Sequence, residues 1–176
     1  RVDTTLHVPR QSLSSAYLDG LQMLTGAGLI LFLWAHMILV ASVIFGPGAM
    51  NTLAHFFEAT YLAQVGGPLI ALVMILHFLL AARKMPFVNR EQKAFWTHAK
   101  MMQHKDTWLW LVQVVSALVI LIMGCTHMWV VLTDLPITAA KSAARIQGGY
   151  WLVFYWIVLP MTELHVGIGL YRIGVK

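Results

Sequence analysis

Residues 21–45 read LQMLTGAGLILFLWAHMILVASVIF. The stretch holds no Asp, Glu, Lys or Arg, and its only ionisable side chain is His36. A helix rises about 1.5 Å per residue, and a bilayer core about 30 Å thick takes roughly 20 apolar residues to cross. The run is too long for the core of a signal peptide, and no small-residue cleavage site follows it. Residues 21–45 are therefore expected to be a retained membrane-spanning helix.

The same reading extends along the chain. Residues 65–84, 108–133 and 148–172 are three further apolar runs, the last interrupted by Glu163. Charged residues make up 11% of the 176, under half the ~25% usual in soluble domains. The mean hydropathy is +0.73. The alternative is a soluble bundle with buried core helices, but so many long uncharged runs in so short a chain argue against it. The expected fold is all-α, a single membrane domain over residues 1–176. It comprises a transmembrane bundle with spans at 21–45, 65–84, 108–133 and 148–172, short interfacial helices, and a polar N-terminal segment over 1–19. The single cysteine, Cys125, excludes an internal disulfide framework and a cysteine-held iron–sulfur cluster. It reads as a small helix-packing residue.

The net charge of +5 is not a nucleic-acid signal, because the basic residues sit beside the apolar runs. Arg83, Lys84, Arg90, Lys93, Lys100 and Lys105 lie between the second and third runs, and Arg172 and Lys176 close the last. The first connection, 46–64, has no Lys or Arg, and the third, 134–147, has only Lys141 and Arg145. Positive-inside counting places the N-terminus and the second connection in the cytoplasm and the other two connections outside. In the first connection, PGAMNTLAHFFEATYLAQVGGP (47–68) predicts a short interfacial helix between Gly/Pro breaks. In the second, Phe95, Ala99 and Met102 recur at helical spacing among charges. That pattern predicts an amphipathic helix on the membrane surface or against a cytoplasmic partner.

Each span carries one histidine, in WAHM (His36), ILHF (His77), CTHM (His127) and ELHV (His165). A histidine in the bilayer core is costly and faces the bundle interior with a partner. One alone reads as a satisfied core residue; one per span does not. Six residues separate His77 from Arg83 and seven separate His165 from Arg172, so both lie roughly 9–10 Å from the cytoplasmic end. His36 and His127 lie about 24 and 28 Å from that end. The histidines thus fall at two levels, His77 with His165 and His36 with His127. Two imidazoles at one depth on facing helices can supply both axial bonds to a haem iron, and two such pairs make an electron ladder across the membrane. Gly124, Gly169 and Ala81 fall on the ligand faces and leave room for a macrocycle, though small residues also serve helix packing. A haem-free transporter or proton channel lined by histidines is the alternative of another class.

FLWAHMILV, ILHFLLAARKMPFVNR, THAKMMQHKDTWLWLVQ, MGCTHMWVVLT and ELHVGIGLYRIGVK carry a resemblance. They resemble the dihaem cytochrome b membrane-anchor subunits of the quinol:fumarate reductase and succinate dehydrogenase family, over nearly the whole chain from about residue 20. The resemblance implies two haem b groups, a proximal one on His77 and His165 and a distal one on His36 and His127. It implies a menaquinol:fumarate oxidoreductase with menaquinone as quinone partner, an iron–sulfur subunit and a flavoprotein subunit. The expected location is a bacterial inner membrane, and the resemblance admits a dimer of heterotrimers. A succinate:quinone reductase running the other way is the alternative within the family. The family pattern departs in two places. It has a fifth membrane helix beyond the stretch resembling GLYRIGVK, and a serine where this chain has Met23.

The resemblance also assigns polar residues. Gln22, His104 and Trp110 match positions near the proximal haem propionates, with Arg83, Lys84 and Lys176 at the same level and Arg145 on the outer side. The cations at the inner level also read as ordinary flanking charges. Glu58, in HFFEATY, matches a quinol-site glutamate, and quinol oxidation needs a base to take its protons. Phe56, Phe57 and Tyr61 are expected to line the quinone groove or to anchor the interface. Glu163 stands two residues before His165, roughly 200° around the helix, so it cannot be a second ligand. The family assigns it to a transmembrane proton path; the alternative is a protonated acid bonded to a neighbouring helix.

Overall fold

The computed structural model describes residues 13–86, 88–102 and 104–175, apart from the Met102 side chain. Its helices are α1 (Leu13–Ala41), α2 (Pro47–Ala59), α3 (Gly67–Ala82), α4 (Asn89–Met102), α5 (Lys105–Leu132), α6 (Ala139–Gln147) and α7 (Tyr150–Gly174). A 3₁₀ turn, Ser42–Phe45, continues α1, and a π-helical turn, Leu62–Gly66, leads into α3. Among the described residues, 4 helical segments are long and apolar enough to cross a membrane: Leu13–Phe45, Leu62–Ala82, Lys105–Leu132 and Tyr150–Gly174. Their best windows have mean hydropathies of 2.4, 2.3, 2.3 and 1.4. The last is lower because Glu163, His165 and Pro160 interrupt its oil.

The chain exposes 12400 Å², against about 8,600 Å² expected for a compact soluble monomer of this mass. Large apolar side chains contribute to the excess, with Trp34, Leu72, Ile122, Trp129 and Trp156 all exposed. Such a surface is stable where the surrounding medium is lipid. Helices also keep their backbone hydrogen bonds within the segment, which a hydrocarbon core requires.

Local sequence explains the breaks. Gly46 adopts φ 110, open to glycine, and Pro47 follows at the start of α2, where its missing N–H costs nothing. Gly67 allows α3 to begin close to the end of α5, since a Cβ there would lie 2.7 Å from Leu132 Cδ2. Thr138 caps α6 by accepting the Lys141 N–H at 3.2 Å, and Gly149, at φ 74, turns the chain into α7. Pro160 lies inside α7 and, lacking an N–H, deprives the Trp156 carbonyl of its helical donor.

Packing runs around a ring. α1 lies along α3, α3 along α5 and α5 along α7, and α7 closes more lightly onto α1. Helices α1 and α5 therefore face each other across one diagonal, and α3 and α7 across the other. At one end, Asp19 of α1 pairs with Arg83 and with Lys84 Nζ at 2.7 Å, and Arg172 of α7 donates to Gln113 Oε1 of α5 at 3.2 Å. At the opposite end, α2 and α6 form a cap around Leu39, Met50, Ala54 and Ala139, with Leu53, Phe57 and Ile137 against it. The Ala139 N–H donates to Asn51 Oδ1 at 2.8 Å, and the Ile137 N–H donates to Glu58 Oε1.

The structure moves some boundaries expected from hydropathy. The first helix is already formed at Leu13 rather than starting at residue 21, so residues 13–19 are helical and continuous with the span. Asp19 is tolerated there because Arg83 and Lys84, just beyond the end of α3, meet it. The second segment runs from Leu62 to Ala82, with Arg83 and Lys84 beyond its end. The α2 and α4 interfacial helices appear in the first and second connections as expected, and α6 adds one in the third.

Candidate functional site

The four span histidines lie on four different helices: His36 on α1, His77 on α3, His127 on α5 and His165 on α7. His36 on α1 and His127 on α5 approach across their diagonal, with ring centroids 5.9 Å apart and planes at 69°. A transition-metal–imidazole bond is about 2 Å, so two rings bound to opposite sides of one metal have centroids roughly 6 Å apart. The His36–His127 spacing fits that requirement. His77 on α3 and His165 on α7 stand on the other diagonal.

Three of the four histidines have Nδ1 engaged by a protein group. His77 Nδ1 lies 3.0 Å from Thr25 Oγ1. His165 Nδ1 lies 3.1 Å from the Gln113 carbonyl and 3.2 Å from Ser116 Oγ. His127 Nδ1 lies 3.0 Å from the Tyr155 hydroxyl. Engagement of the far nitrogen by a protein acceptor is the usual condition of a metal-bound imidazole. Among the described residues His36 is met by rings, those of Phe32 and His127. Gly26 of α1 faces His77, where a Cβ would lie 3.0 Å from Cε1. Gly124 faces Met74, and Gly169 faces Gln113. Among the described residues no cluster of three or more His, Cys, Asp or Glu could hold a metal ion. The histidine donor set comes in pairs.

Beside the α3 end, an open cleft of about 590 Å³ is lined by Arg83, Lys84, Phe95, Asp106 and Trp110, among others. Three of the expected propionate residues, Arg83, Lys84 and Trp110, thus share one hollow. Arg83 and Lys84 are already paired to Asp19, and Trp110 packs on Phe95 at 4.7 Å. Gln22 is half-buried on α1, where its carbonyl accepts from Thr25 Oγ1 at 3.0 Å. His104 is exposed at the start of α5, with Asp106 Oδ2 at 4.0 Å, and does not line the cleft. Lys176 lies outside the described residues.

At the opposite end the Arg145 side chain is only 13% exposed and holds Asp134 Oδ2 at 3.0 Å. Tyr155 of α7 meets His127 Nδ1 at 3.0 Å. Lys141 Nζ meets the other Asp134 oxygen at 3.0 Å. The Lys141 hydrogen bond foremost, with the Arg145 charge added, holds the Asp134 carboxyl below its ordinary range. Phe57 is spent on the α2–α6 cap, whereas Tyr61 is exposed and adopts a left-handed φ of 58, uncommon for a residue with a Cβ. Phe56 is exposed against Phe57. Glu163 lies on the outer face of α7, exposed, and among the described residues its carboxyl has no hydrogen-bond or ion-pair partner.

Thr25, Ser116, Tyr155, Asp134 and Gly26 were not anticipated. Each takes its meaning from a residue on another element or a distant turn.

A ring of four membrane-length helices, each carrying one histidine, defines a multi-pass membrane protein. A family model described as succinate dehydrogenase/fumarate reductase transmembrane subunit matches residues 89–176. A fumarate reductase cytochrome b subunit of Helicobacter pylori (strain ATCC 700392 / 26695) is 34% identical over 171 residues, covering 92% of this chain and 67% of that protein. The fumarate reductase cytochrome b subunit of Wolinella succinogenes is 31% identical over 176 residues, covering 95% and 69%. The chain belongs to the succinate dehydrogenase/fumarate reductase transmembrane subunit family.

Proposed function

We propose that the chain is the membrane-anchoring dihaem cytochrome b subunit of a menaquinol:fumarate oxidoreductase in a bacterial inner membrane, with its N-terminus cytoplasmic. The observation that carries this is the histidine pairing: His36 with His127 at a spacing that suits one metal between two imidazoles, and His77 with His165 on the other diagonal. Two haem b groups bound there would relay electrons from menaquinol to an iron–sulfur subunit and on to a flavoprotein that reduces fumarate to succinate.

The chain's own residues supply the rest. His77 and His165 hold the inner group and His36 and His127 the outer. Arg145, mostly buried, offers a cation to an outer propionate, sharing its guanidinium with Asp134. Arg83, Lys84 and Trp110 offer the equivalent surface at the inner end, with Gln22, His104 and Lys176 as further contacts of that region. Glu58, at the α2 end, takes protons from quinol, beside Phe57 and Tyr61. Assaying the complex in both directions tests the assignment. Faster flow from a menaquinol analogue to fumarate than from succinate to quinone supports it. The reverse preference would identify a succinate:quinone reductase.

Glu163 is the proton carrier in this reading. A carboxylate at bilayer depth, without a partner among the described residues, marks an ion pathway. Glu163→Gln keeps the side-chain shape and removes the titratable proton. Quinol-driven turnover should fall at least tenfold with both haems retained in the optical spectrum. Unchanged turnover removes the proton role.

Gly26 gives the inner site its clearance. Gly26→Val places branched carbon where even a Cβ lies 3.0 Å from the His77 ring, and overpacking of this kind costs about 1–3 kcal/mol. The inner haem should be depleted relative to the outer, measured by haem content per chain. Equal content of both would show that Gly26 has no such role.

A further inference from the structure

The stretches QMLT (22–25) in α1 and QVVS (113–116) in α5 are local matches in unrelated surroundings. Each sets a glutamine carbonyl and a hydroxyl three residues apart. Thr25 Oγ1 lies 2.9 Å from the Leu21 carbonyl, 3.0 Å from the Gln22 carbonyl and 3.0 Å from His77 Nδ1. Ser116 Oγ lies 3.1 Å from the Gln113 carbonyl and 3.2 Å from His165 Nδ1. α1 is the helix packed along α3, and α5 the helix packed along α7. Each device therefore holds the histidine of its own neighbour.

The chemistry fixes a proton position. A carbonyl only accepts. His165 Nδ1 stands 3.1 Å from the Gln113 carbonyl, so Nδ1 carries the hydrogen. His77 Nδ1 stands 3.0 Å from Thr25 Oγ1, whose proton goes to the Leu21 and Gln22 carbonyls. The hydroxyls spend their single protons on the helix carbonyls beneath them and accept from the imidazoles. Both rings are then Nδ1–H tautomers with their Nε2 lone pairs free. Ser116 is 1% exposed, so no solvent competes for its bond. The outer pair lacks this device. Tyr155 can donate or accept, and among the described residues His36 is met by rings alone.

We infer that Thr25 with the Gln22 carbonyl, and Ser116 with the Gln113 carbonyl, are matched positioning residues that set the tautomer, ring orientation and donor strength of the inner haem's two ligands. The inference rests on the haem reading above. An acceptor on Nδ1–H makes the imidazole a stronger electron donor, which favours ferric over ferrous iron. Removing it should raise the inner haem potential and leave the outer one in place.

The test is a redox titration of the intact complex, followed optically and by electron paramagnetic resonance, for Ser116→Ala and Thr25→Val beside Ser116→Thr and Thr25→Ser. At a fixed potential near the inner midpoint, the ferric:ferrous ratio of that haem should fall up to about tenfold in the hydroxyl-free variants, tenfold being 59 mV for one electron. Its low-spin resonance should shift, the outer haem should hold its value, and the hydroxyl-keeping variants should return to wild type. If Ser116→Ala fails to assemble, Thr25→Val carries the test. An unmoved inner haem in the hydroxyl-free variants, or equal shifts of both haems, overturns the inference while leaving the two-haem reading intact. Absence of haem from the wild-type complex overturns that reading instead.

Discussion

His77→Ala should leave the complex with one haem per chain in place of two, the outer one, and should lower quinol-driven fumarate reduction by at least about 100-fold. Losing an outer-shell partner of a metal ligand already costs about 10–100-fold, and this substitution removes a ligand itself. His77 stands across the bundle from His165, so deleting it leaves His165 without an opposing donor. It also empties the space between Gly26 and the ring and strands Thr25 Oγ1. The outer pair is built from α1 and α5, with centroids 5.9 Å apart, and draws no ligand from α3. Its spectrum should survive. His127→Ala should give the mirror result, keeping the inner haem. Haem extraction and a reduced-minus-oxidised spectrum on each variant decide it. Loss of both haems from either variant, with the protein folded, would contradict independent pairs.

Glu58→Gln should abolish quinol oxidation while leaving fold and haems untouched. General-base catalysis contributes about 10²–10⁴-fold, and turnover with a menaquinol analogue should fall within that range. The variant isolates the base, because Glu58 Oε1 already accepts the Ile137 N–H and a glutamine oxygen can accept the same bond. The tie between α2 and the segment before α6 is therefore kept. Glu58→Ala removes both base and tie, and should lower thermal stability as well. Electron transfer from dithionite to the haems should be normal in both variants. Unchanged quinol turnover in Glu58→Gln would reduce the residue to a structural tie.

The spans were legible because hydropathy alone selects them: long uncharged runs have few places to go but lipid. Their ends were less so. Residues 13–19 are polar enough to resemble a surface segment, yet they continue α1, where Asp19 finds Arg83 and Lys84 just beyond the end of α3. No scan of one helix can see that pairing. The helix α6 was also hidden, although Thr138 is a cap signal ahead of AAKSAARIQ. The histidine levels were readable from helical rise, since depth depends on position along one helix. Lateral contacts do not. Thr25 and Ser116 take their roles from the packing of α1 on α3 and α5 on α7, and Arg145 takes Asp134 from the far side of a turn. Phe57, beside Glu58, also packs on the α2–α6 cap, a contact that the sequence alone does not show.

The central claim is that the paired histidines hold two haem groups. The direct measurement is an optical spectrum of the purified complex, with haem and iron quantified per copy of this chain. The account expects two six-coordinate, low-spin b haems per chain, with midpoint potentials that separate on titration. A single haem, or a protein that folds and assembles with none, would contradict it.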